Sequence, residues 1–501
     1  MEKARVASDV KGRRRLVIVG GGASGVAAFA AAVRFGVAQS IDIVDPLGIG
    51  RGVAFSAVDP ALLCNTSVET MSILDDDPDD FRAYLRSIGV SVSRDAFVAR
   101  RHVSDYLVSR YAHFSRQARD AGIDHRLVSA GARYIERMPT GGYRVWLDVD
   151  RALEATDVLV CTGNGESYVP EYVKAHVGAP RIFARFYPEG AVLAQLEPRS
   201  RVLVLGSRLT AVDAALLLCR GGHSAVIASP SGRLPAVRTA TTRVAPVPID
   251  AAAYARLDLN SSALSWRLMR IVARSARAVR GRALSDQVVR LRDPIERLRR
   301  EVTLARDGAT DWQHILVANM DAVEARLRSE PPARQKLAID ACSRAMGRYL
   351  FACPLGNGET LLGFAEQGRL HVKTGMPAML HEAGGRWRID WQDGTSETYD
   401  AVVCATGFQK APLRASESAL ALSADSDVGG GVPRVSTDLR VWLAGAAHPE
   451  RIWTLGVASY LGAPPINALY QAARQSGELC RRWRAEDERR AEQDTVATEA
   501  G

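Results

Sequence analysis

The stretch Leu16-Val-Ile-Val-Gly-Gly-Gly-Ala-Ser-Gly25 decides the fold of this chain. Its apolar start predicts a short buried strand, and the alanine-rich run Val26–Arg34 after it predicts a helix. Between them Gly20, Gly22 and Gly25 have the G-x-G-x-x-G spacing. The first glycine permits a tight turn, the second lets the backbone approach a pyrophosphate, and the third lets the helix pack close to the strand. The stretch therefore predicts a dinucleotide-binding turn at a helix N-terminus.

An acidic residue stands where such a turn needs one. The run Ile41–Asp45 predicts a second strand, and Asp45 follows Gly25 by 20 residues, the position of a ribose-binding carboxylate. Ser24 lies inside the turn and is a further candidate ligand. The alternative is a glycine-rich loop in an α/β protein of another kind.

Composition indicates a soluble, multi-domain protein. The chain has 501 residues, of which 47% are hydrophobic and 24% charged. The net charge is +9, but 59 of the 65 basic residues are arginine, which is typical of a GC-rich genome, so we expect no nucleic-acid partner. The apolar run 16–33 is interrupted by glycines, and no separate signal segment precedes it. We therefore expect no membrane span and a cytoplasmic location.

Cysteine and acid spacing argue against metal and dithiol chemistry. No two of the seven cysteines show C-x-x-C spacing, so neither a redox dithiol nor a zinc ribbon is predicted. The acidic run Asp75–Asp80 precedes Phe81 and predicts a helix start; no neighbouring His or Glu completes a metal site. In the glycine-rich loop before it, Arg51 is either a phosphate ligand or an exposed side chain.

The second half of the chain repeats the plan of the first. Arg201–Gly206 predicts a strand and turn, Ser207–Leu218 a helix, and Ala225–Ser229 the next strand. Each half also contains a buried strand that ends in Thr-Gly, at Asp157–Gly163 and at Asp400–Gly407. The repeat predicts two nucleotide-binding folds in one chain.

The second turn favours a different ligand. It carries Gly206, Ser207 and Thr210, with Arg208 and Ala211 replacing the second and third glycines. Its second strand ends in Ser229 rather than an acid, and Arg208 and Arg233 are available for a 2′-phosphate, which favours NADPH over NADH. The alternative is a structural fold that binds no nucleotide.

The second copy is longer by 58 positions, and the surplus is a helical, arginine-rich tract at about 254–350. Its Arg267, Arg270, Arg274 and Arg277 share one helical face, either toward an anionic ligand or membrane lipid, or toward solvent. After the strand Leu439–Gly445, a long helix is expected to end near Trp483, with Pro464-Pro465 interrupting it and a charged tail fraying beyond Arg484.

The chain resembles flavoproteins that have two dinucleotide-binding domains. Among these it resembles the bacterial FAD/NAD(P)-binding family that is similar to class B and N-hydroxylating flavin monooxygenases. The stretches that carry the resemblance are Gly20–Gly25, Gly50–Phe55, Asp59–Asn65, Asp77–Phe81, Gly206–Asp213 and Ala405–Phe408. The chain departs from that family over 345–365, where an arginine- and histidine-rich stretch is expected.

The resemblance implies an α/β fold with two Rossmann-like dinucleotide-binding domains, for FAD and NADPH, and a helical insertion. The expected domains are 14–170 (FAD, first part), 171–395 (NADPH, with the insertion at about 250–365) and 396–485 (FAD, second part), before a disordered tail, 486–501. The resemblance places FAD at Gly20, Gly22, Ser24, Gly25, Asp45, Arg51 and Asn65. It also places Thr162-Gly163 and Thr406-Gly407 at the crossings between domains, and Gly445 beside the flavin.

The activity implied is an NADPH- and O2-dependent monooxygenase that acts through a C4a-hydroperoxyflavin, on the nitrogen of a small polar, amino acid-like substrate. The arginines of the insertion favour an acidic amino acid. Two alternatives remain: an FAD/NADPH-dependent dehydrogenase or reductase without oxygen insertion, and a redox-sensing or scaffold flavoprotein. The sequence names no catalytic side chain and no metal site, and an oligomer is compatible with it.

Overall fold

The computed structural model describes residues 14–241, 247, 249–327, 330–409, 412–461 and 469–499. Its strands, in chain order, are β1 (Arg14–Val19), β2 (Ala38–Val44), β3 (Asp124–Val128), β4 (Ala132–Arg137), β5 (Tyr143–Leu147), β6 (Ala152–Ala155), β7 (Asp157–Val160), β8 (Ile182–Phe183), β9 (Arg201–Leu205), β10 (Ser224–Ser229), β11 (Val237–Arg238), β12 (Cys353–Pro354), β13 (Leu370–Thr374), β14 (Pro377–Ala383), β15 (Arg386–Trp391), β16 (Ser396–Tyr399), β17 (Ala401–Cys404), β18 (Arg414–Ala415), β19 (Ala419–Ala421), β20 (Arg434–Val435), β21 (Val441–Trp442) and β22 (Ile452–Thr454).

The α-helices, in chain order, are α1 (Ala23–Phe35), α2 (Asp80–Ser87), α3 (Arg100–Asp120), α4 (Glu171–Lys174), α5 (Glu189–Leu193), α6 (Leu209–Arg220), α7 (Ala251–Ala255), α8 (Leu264–Arg280), α9 (Leu284–Gln287), α10 (Pro294–Arg306), α11 (Trp312–Leu327), α12 (Pro332–Leu350), α13 (Leu355–Glu366) and α14 (Leu469–Glu499). Short 3-10 helices cover Val68–Thr70 and Gly456–Leu461.

Five parallel strands form the first sheet, in the order β22-β7-β1-β2-β3. Central β1 pairs with β2 and β7, so that Val19 lies beside Val44 and Val160 at the carboxyl edge. Ile18 packs into a layer with α1, α3 and α14, whereas Val17 packs against antiparallel strands on the other face. Because both faces are covered, β1 is apolar throughout Leu16–Val19, as the Leu-Val-Ile-Val run predicts.

The second sheet has the same construction. Its parallel order is β13-β10-β9-β17-β8, with β9 in the centre. Leu205 at the end of β9 lies beside Ala228 of β10 and Cys404 of β17. The prediction of an α/β fold with two Rossmann-like sheets and a helical insertion is therefore confirmed.

Two antiparallel sheets cover the parallel ones. The strands β18-β19-β4-β5-β6 pack on the first sheet, and β14-β15-β16 pack on the second. The predicted alternation along Tyr143–Leu147 is confirmed, since buried and half-buried residues alternate along β5. The predicted hairpin turn at Asp393-Gly394 is also confirmed, because it joins β15 to β16.

The helical tract begins and ends at the same place in the fold, the strand pair β11–β12. Strands β11 and β12 pair in parallel, and α7 to α12 lie between them in the chain. These helices bury their own apolar cluster, which includes Tyr254, Leu268 and Leu327. Helix α13, expected inside the insertion, packs against α10 of the insertion and also against α6 and β13 of the second sheet. The division of the chain into domains stays a prediction.

The C-terminal helix differs from expectation. The segment beyond Arg484, expected to fray and be disordered from residue 486, continues as α14 to Glu499. The reason is a tertiary contact: Arg14 of β1 is 2% exposed and pairs with Asp487 at 2.6 Å. Pro464-Pro465 lies outside the described residues. Nowhere in the described residues is a helix both long and apolar enough to span a bilayer.

A buried polar cluster joins the two halves. Arg100, the first residue of α3, lies 2.7 Å from the carboxylate of Asp213 on α6, and both side chains are almost fully buried. The Tyr187 hydroxyl accepts from Arg100 at 2.8 Å and donates to Asp213. Glu189 accepts from the backbone N–H groups of Val58 and Asp59. These contacts fix the loop that follows the first glycine turn against the second half of the chain.

Candidate functional site

The first glycine turn leaves no room for a side chain at Gly20 or Gly25. Gly20 has a φ of +111°, and a Cβ there would lie 2.7 Å from the carbonyl oxygen of Cys161. A Cβ on Gly25 would overlap with the Gly20 carbonyl oxygen. Helix α1 therefore begins directly against the turn, with its free N–H groups at the carboxyl edge of the sheet.

Asp45 is tied to this turn. One carboxylate oxygen accepts from the backbone N–H of Gly21 and the other from that of Leu47, both at 2.7 Å. A carboxylate has about four lone-pair positions, so two remain for a ribose diol. The structure thus places Asp45 at the turn, and its role toward a ribose stays a prediction.

The loop after Asp45 closes over the turn. The Gly50 N–H donates to the Gly21 carbonyl at 2.9 Å. A Cβ on Gly22 would lie 3.7 Å from the Cα of Gly52, an ordinary contact distance, so the two backbone segments face each other. Arg51, between these glycines, is exposed. The geometry is that of a backbone cradle.

Three other residues expected near FAD, Thr162, Gly163 and Asn65, differ in burial and in hydrogen bonding. The Thr162 hydroxyl is buried and has no hydrogen-bond partner in the part of the chain that the structure describes, while Gly163 is exposed. Asn65 is half-buried, and its backbone carbonyl accepts from Arg238. An orphaned buried hydroxyl beside Cys161, which itself contacts the turn, fits a polar ligand at this edge.

Gly445 does not lie at this edge. It is exposed, on the loop that leads into the amino end of β22. Since β22 runs parallel to β7, its carboxyl end reaches the edge occupied by the turn. The glycine that follows that end is Gly456, where a Cβ would overlap with the Ser24 hydroxyl. The structure thus places Gly456, rather than Gly445, beside the first turn, and the role of Gly445 toward a flavin stays a prediction.

The second turn repeats the first. Gly206 has a φ of +111°, and a Cβ there would overlap with the Ala405 carbonyl oxygen. Ala211 is fully buried in α6 at the position that corresponds to Gly25. The Thr406 hydroxyl donates to the Tyr168 carbonyl. The degenerate fingerprint therefore retains the backbone geometry of the intact one.

A cavity of about 720 Å³ opens at the second turn. It brings together Gly206, Ser207, Arg208 and Thr210, which are predicted for the second dinucleotide, with Ser229 and with Thr406 and Gly407 of the predicted crossing between domains. Arg233 does not line it. It lines a neighbouring cavity, which shares Ser207, Arg208 and Ser231 with the first. The Ser229 hydroxyl is engaged within the loop, where it accepts from the Gly232 N–H at 3.1 Å.

Arg238 is a candidate that sequence reasoning missed. It is 2% exposed, its guanidinium donates to the Asn65 carbonyl, and its Nε has no partner among the described residues. Burial lowers the pKa of Arg238 to about 10. A buried cation with an unused donor is costly unless an anion joins it. No local pattern marks Arg238, because its partner is 173 residues away.

The four arginines predicted on one helical face of the insertion lie at the surface of the protein. Arg267, Arg270, Arg274 and Arg277 are all exposed on α8, as in the solvent-facing alternative. The arginines that line a cavity come from other helices, with Arg297 on α10 and Arg348 on α12.

Thiol and metal chemistry find little support in the described residues. All seven cysteines are buried and free. Burial raises the pKa of Cys64 to about 12, so its thiol stays protonated at neutral pH. Within the described ranges, no group of three or more His, Cys, Asp or Glu side chains comes together to hold a metal ion.

Comparisons with known proteins agree with this geometry. Residues 17–165 match a family profile described as FAD-NAD(P)-binding. No curated protein matches the sequence. Among solved structures, the FAD-bound cadaverine monooxygenase DfoA of the desferrioxamine pathway of Erwinia amylovora has a TM-score of 0.53 at 11% identity, covering 94% of each chain. The structure of OTEMO with FAD and NADP has a TM-score of 0.52 at 13% identity, covering 95% of this chain and 86% of that one. Residues 17–165 are therefore similar to FAD-NAD(P)-binding domains, and the chain shares its fold with DfoA and OTEMO.

Proposed function

We propose that this protein is a flavin-dependent monooxygenase that uses NADPH and O2 to oxygenate the nitrogen of a small polar, amino acid-like substrate. The observation that carries the proposal is the presence of two backbone-built glycine turns in one chain, around Gly20 and Gly206, each at the carboxyl edge of its own parallel sheet. One dinucleotide then serves as the resident cofactor and the other as the reductant.

The first turn would hold FAD. Its ligands would be Gly20, Gly22, Ser24, Gly25, Asp45, Arg51, Asn65, Thr162 and Gly163. When bound, FAD accepts the hydride of NADPH and activates O2. The protein's part would be to bind and orient the cofactor: the N-terminus of α1 would face the pyrophosphate, and the loop at Gly50–Gly52 would help to shield the site from water.

The second turn would hold NADPH through Gly206, Ser207, Arg208, Thr210, Arg233, Thr406 and Gly407. The 720 Å³ cavity is large enough for a nucleotide portion of the molecule. No acid stands at the end of β10, where Ser229 is found, and this supports a phosphorylated ribose.

Arg238 supports an acidic group on the substrate. Its guanidinium donates to the Asn65 carbonyl, and its Nε has no hydrogen-bond partner among the described residues. A carboxylate would neutralise the buried guanidinium and accept its free Nε–H. The residue would thus bind the substrate and leave its amine free to react. The reducing cytoplasm, where thiols stay free, is the compartment we assign to this reaction.

The test is to measure NADPH oxidation and O2 uptake by the FAD-loaded protein across a panel of amino acids and diamines, with mass spectrometry of the products. Substrate-dependent addition of one oxygen atom to nitrogen is expected. NADPH oxidation by an artificial acceptor without air, and no oxygenated product in air, would instead identify a reductase. FAD binding without any NADPH oxidation would identify a sensing or scaffold protein, and either result would overturn the proposal.

A further inference from the structure

A second cavity, of about 630 Å³, extends from the second glycine turn to the helical insertion. Ser207, Arg208 and Ser231 line both this cavity and the one at the turn, so the two are contiguous. The insertion supplies the far wall through α10 and α12. The arginines that line the cavity are Arg208, Arg233, Arg290, Arg297 and Arg348.

Arg297 on α10 has a donor with no partner. Its side chain is 7% exposed, and its Nε donates to the Leu291 carbonyl at 2.8 Å. Its Nη1 is buried and makes no hydrogen bond to any residue that the structure describes. The described residues also place no carboxylate within salt-bridge distance of it. A buried guanidinium therefore lines the cavity with an unused N–H group.

Tyr349 on α12 has the same property. Its hydroxyl is buried and lacks a hydrogen-bond partner among the described residues. Burial raises the pKa of Tyr349 to about 12, so the hydroxyl stays protonated and able to donate. The ring packs edge-on against Trp312, which fixes its position.

The charge of the cavity is strongly positive. The carboxylate of Glu301 lies 2.7 Å from Arg348 and compensates that arginine. Arg208, Arg233 and Arg290 are exposed at the rim, and buried Arg297 adds a further positive charge. Burial and the nearby Arg348 lower the pKa of Arg297, and Glu301 opposes that effect only in part. Such a set of donors fits a phosphate monoester, since guanidinium groups bind phosphate oxygens in pairs.

We propose that this cavity binds the 2′-phosphate of NADPH, and that Arg297 and Tyr349 of the insertion determine the preference for NADPH over NADH. The inference rests on the second turn holding the nicotinamide dinucleotide. In a Rossmann fold the adenosine ribose lies beyond the second strand, here β10, and the loop after β10 contributes Ser231 and Arg233 to this cavity. The insertion would then complete a phosphate site that the degenerate fingerprint lacks.

The experiment measures binding of 2′,5′-ADP and of 5′-AMP to the FAD-loaded full-length protein by titration calorimetry. Tyr349→Phe is the sharpest variant, because it removes only a hydroxyl that has no hydrogen-bond partner in the described part of the chain. Arg297→Gln is the second, and Arg300→Gln, an exposed position on the same helix, is the matched control. Wild type is expected to bind 2′,5′-ADP more tightly than 5′-AMP. In each of the two test variants the ratio of these affinities should fall at least about tenfold, since a hydrogen bond to a charged group is worth roughly 1.5–3 kcal/mol. The control should keep it.

Because the experiment measures ligand binding, its result does not depend on whether the protein oxygenates a substrate. A preference for 2′,5′-ADP that depends on Tyr349 and Arg297 supports the site even if no product is oxygenated. Equal binding of the two ligands by wild type, or a preference that survives both substitutions, would overturn it. An acidic amino acid or inorganic phosphate that binds at Arg297 without competing with 2′,5′-ADP would assign the cavity to another anion and overturn it as well.

Discussion

Gly20 and Gly206 adopt the same backbone conformation, with a φ of +111° at both positions. Each lies against the carbonyl oxygen of the residue before a Thr-Gly pair, Cys161 in the first half and Ala405 in the second. The backbone hydrogen bonds also correspond, because Gly20 donates to the end of β2 and Gly206 to the end of β10, both at 2.8 Å. The two turns are therefore equivalent sites that differ in the side chains around them.

This equivalence predicts that the two sites can be lost separately. Gly206→Ala places a Cβ in the Ala405 carbonyl and forces an L residue into the left-handed region, which costs roughly 1–2 kcal/mol before the clash is counted. We expect the variant to retain FAD and to bind NADPH at least about tenfold more weakly. Flavin absorbance and a fluorescence titration with NADPH measure the two effects.

The reciprocal variant, Gly20→Ala, should be purified without FAD. Gly356→Ala is the control, since a Cβ there meets no atom within 4 Å. Normal NADPH binding by the Gly206→Ala protein would contradict the assignment of the second turn.

The sequence predicted features that depend on local pattern and missed those that depend on distant partners. Both glycine turns, the Thr-Gly strands and the β15–β16 hairpin follow from residues that are neighbours in the chain. Arg238 and Arg297 gave no signal, because an isolated arginine in an arginine-rich chain looks the same whether it is buried or exposed. The helical tail was missed for the same reason: Arg14 and Asp487 are 473 positions apart. The roles of the predicted site residues stay predictions, since local pattern places a residue at a turn without showing what it binds.

The buried cluster between the halves should contribute strongly to stability. Removing the carboxylate in Asp213→Ala leaves Arg100 buried without its partner, and such losses cost about 3–5 kcal/mol. Burial raises the pKa of Asp213, although the neighbouring Arg100 acts to lower it. The effect of removing this carboxylate from water therefore exceeds the effect of its partner. Urea unfolding of the FAD-loaded protein measures the loss.

Two comparisons test that explanation. Glu488→Ala breaks the exposed Arg484–Glu488 pair, at 2.9 Å, and should cost less than about 1 kcal/mol. The double variant Arg100→Met/Asp213→Leu removes both charges and should recover much of the stability. A double variant no more stable than Asp213→Ala would show that packing, rather than the uncompensated charge, causes the loss.

The hydrogen bond between His223 and the Ser200 N–H, beside the second sheet, is expected to be lost at acid pH. It is 7% exposed, and its Nδ1 accepts from the Ser200 N–H at 3.2 Å, just before β9. Burial, together with nearby Arg369, lowers the pKa of His223 below that of the unfolded chain. The unfolded state therefore binds the proton first as the pH falls below about 6.5. This contact stabilises the fold above that pH and loses its contribution on acidification.

We expect the melting temperature of wild type to fall more steeply below pH 6.5 than that of His223→Asn, whose amide oxygen can accept the same N–H without protonation. His371→Asn, at an exposed position in β13, is the control and should retain the steep wild-type dependence. Parallel pH profiles for wild type and His223→Asn would refute the assignment.

The turn of α14 that carries Glu486 and Asp487 should stabilise β1 through Arg14. The Arg14 guanidinium lies 4.8 Å from the Trp483 ring centroid and pairs with Asp487 and Glu486 at 2.6 and 3.4 Å. A chain that ends at Ala485 loses both carboxylates and keeps the buried cation, so we expect a loss of about 1–3 kcal/mol in the free energy of unfolding. A chain that ends at Arg490 keeps them and should lose less than about 0.5 kcal/mol, as surface changes usually do. Replacing Arg14 by Met in the shorter chain removes the unpaired charge and should restore most of the stability. Equal stability of the two truncated chains would mean that the ion pairs do not account for the order of the tail, and that packing of Trp483 against Trp453, at 5.0 Å between ring centroids, is sufficient.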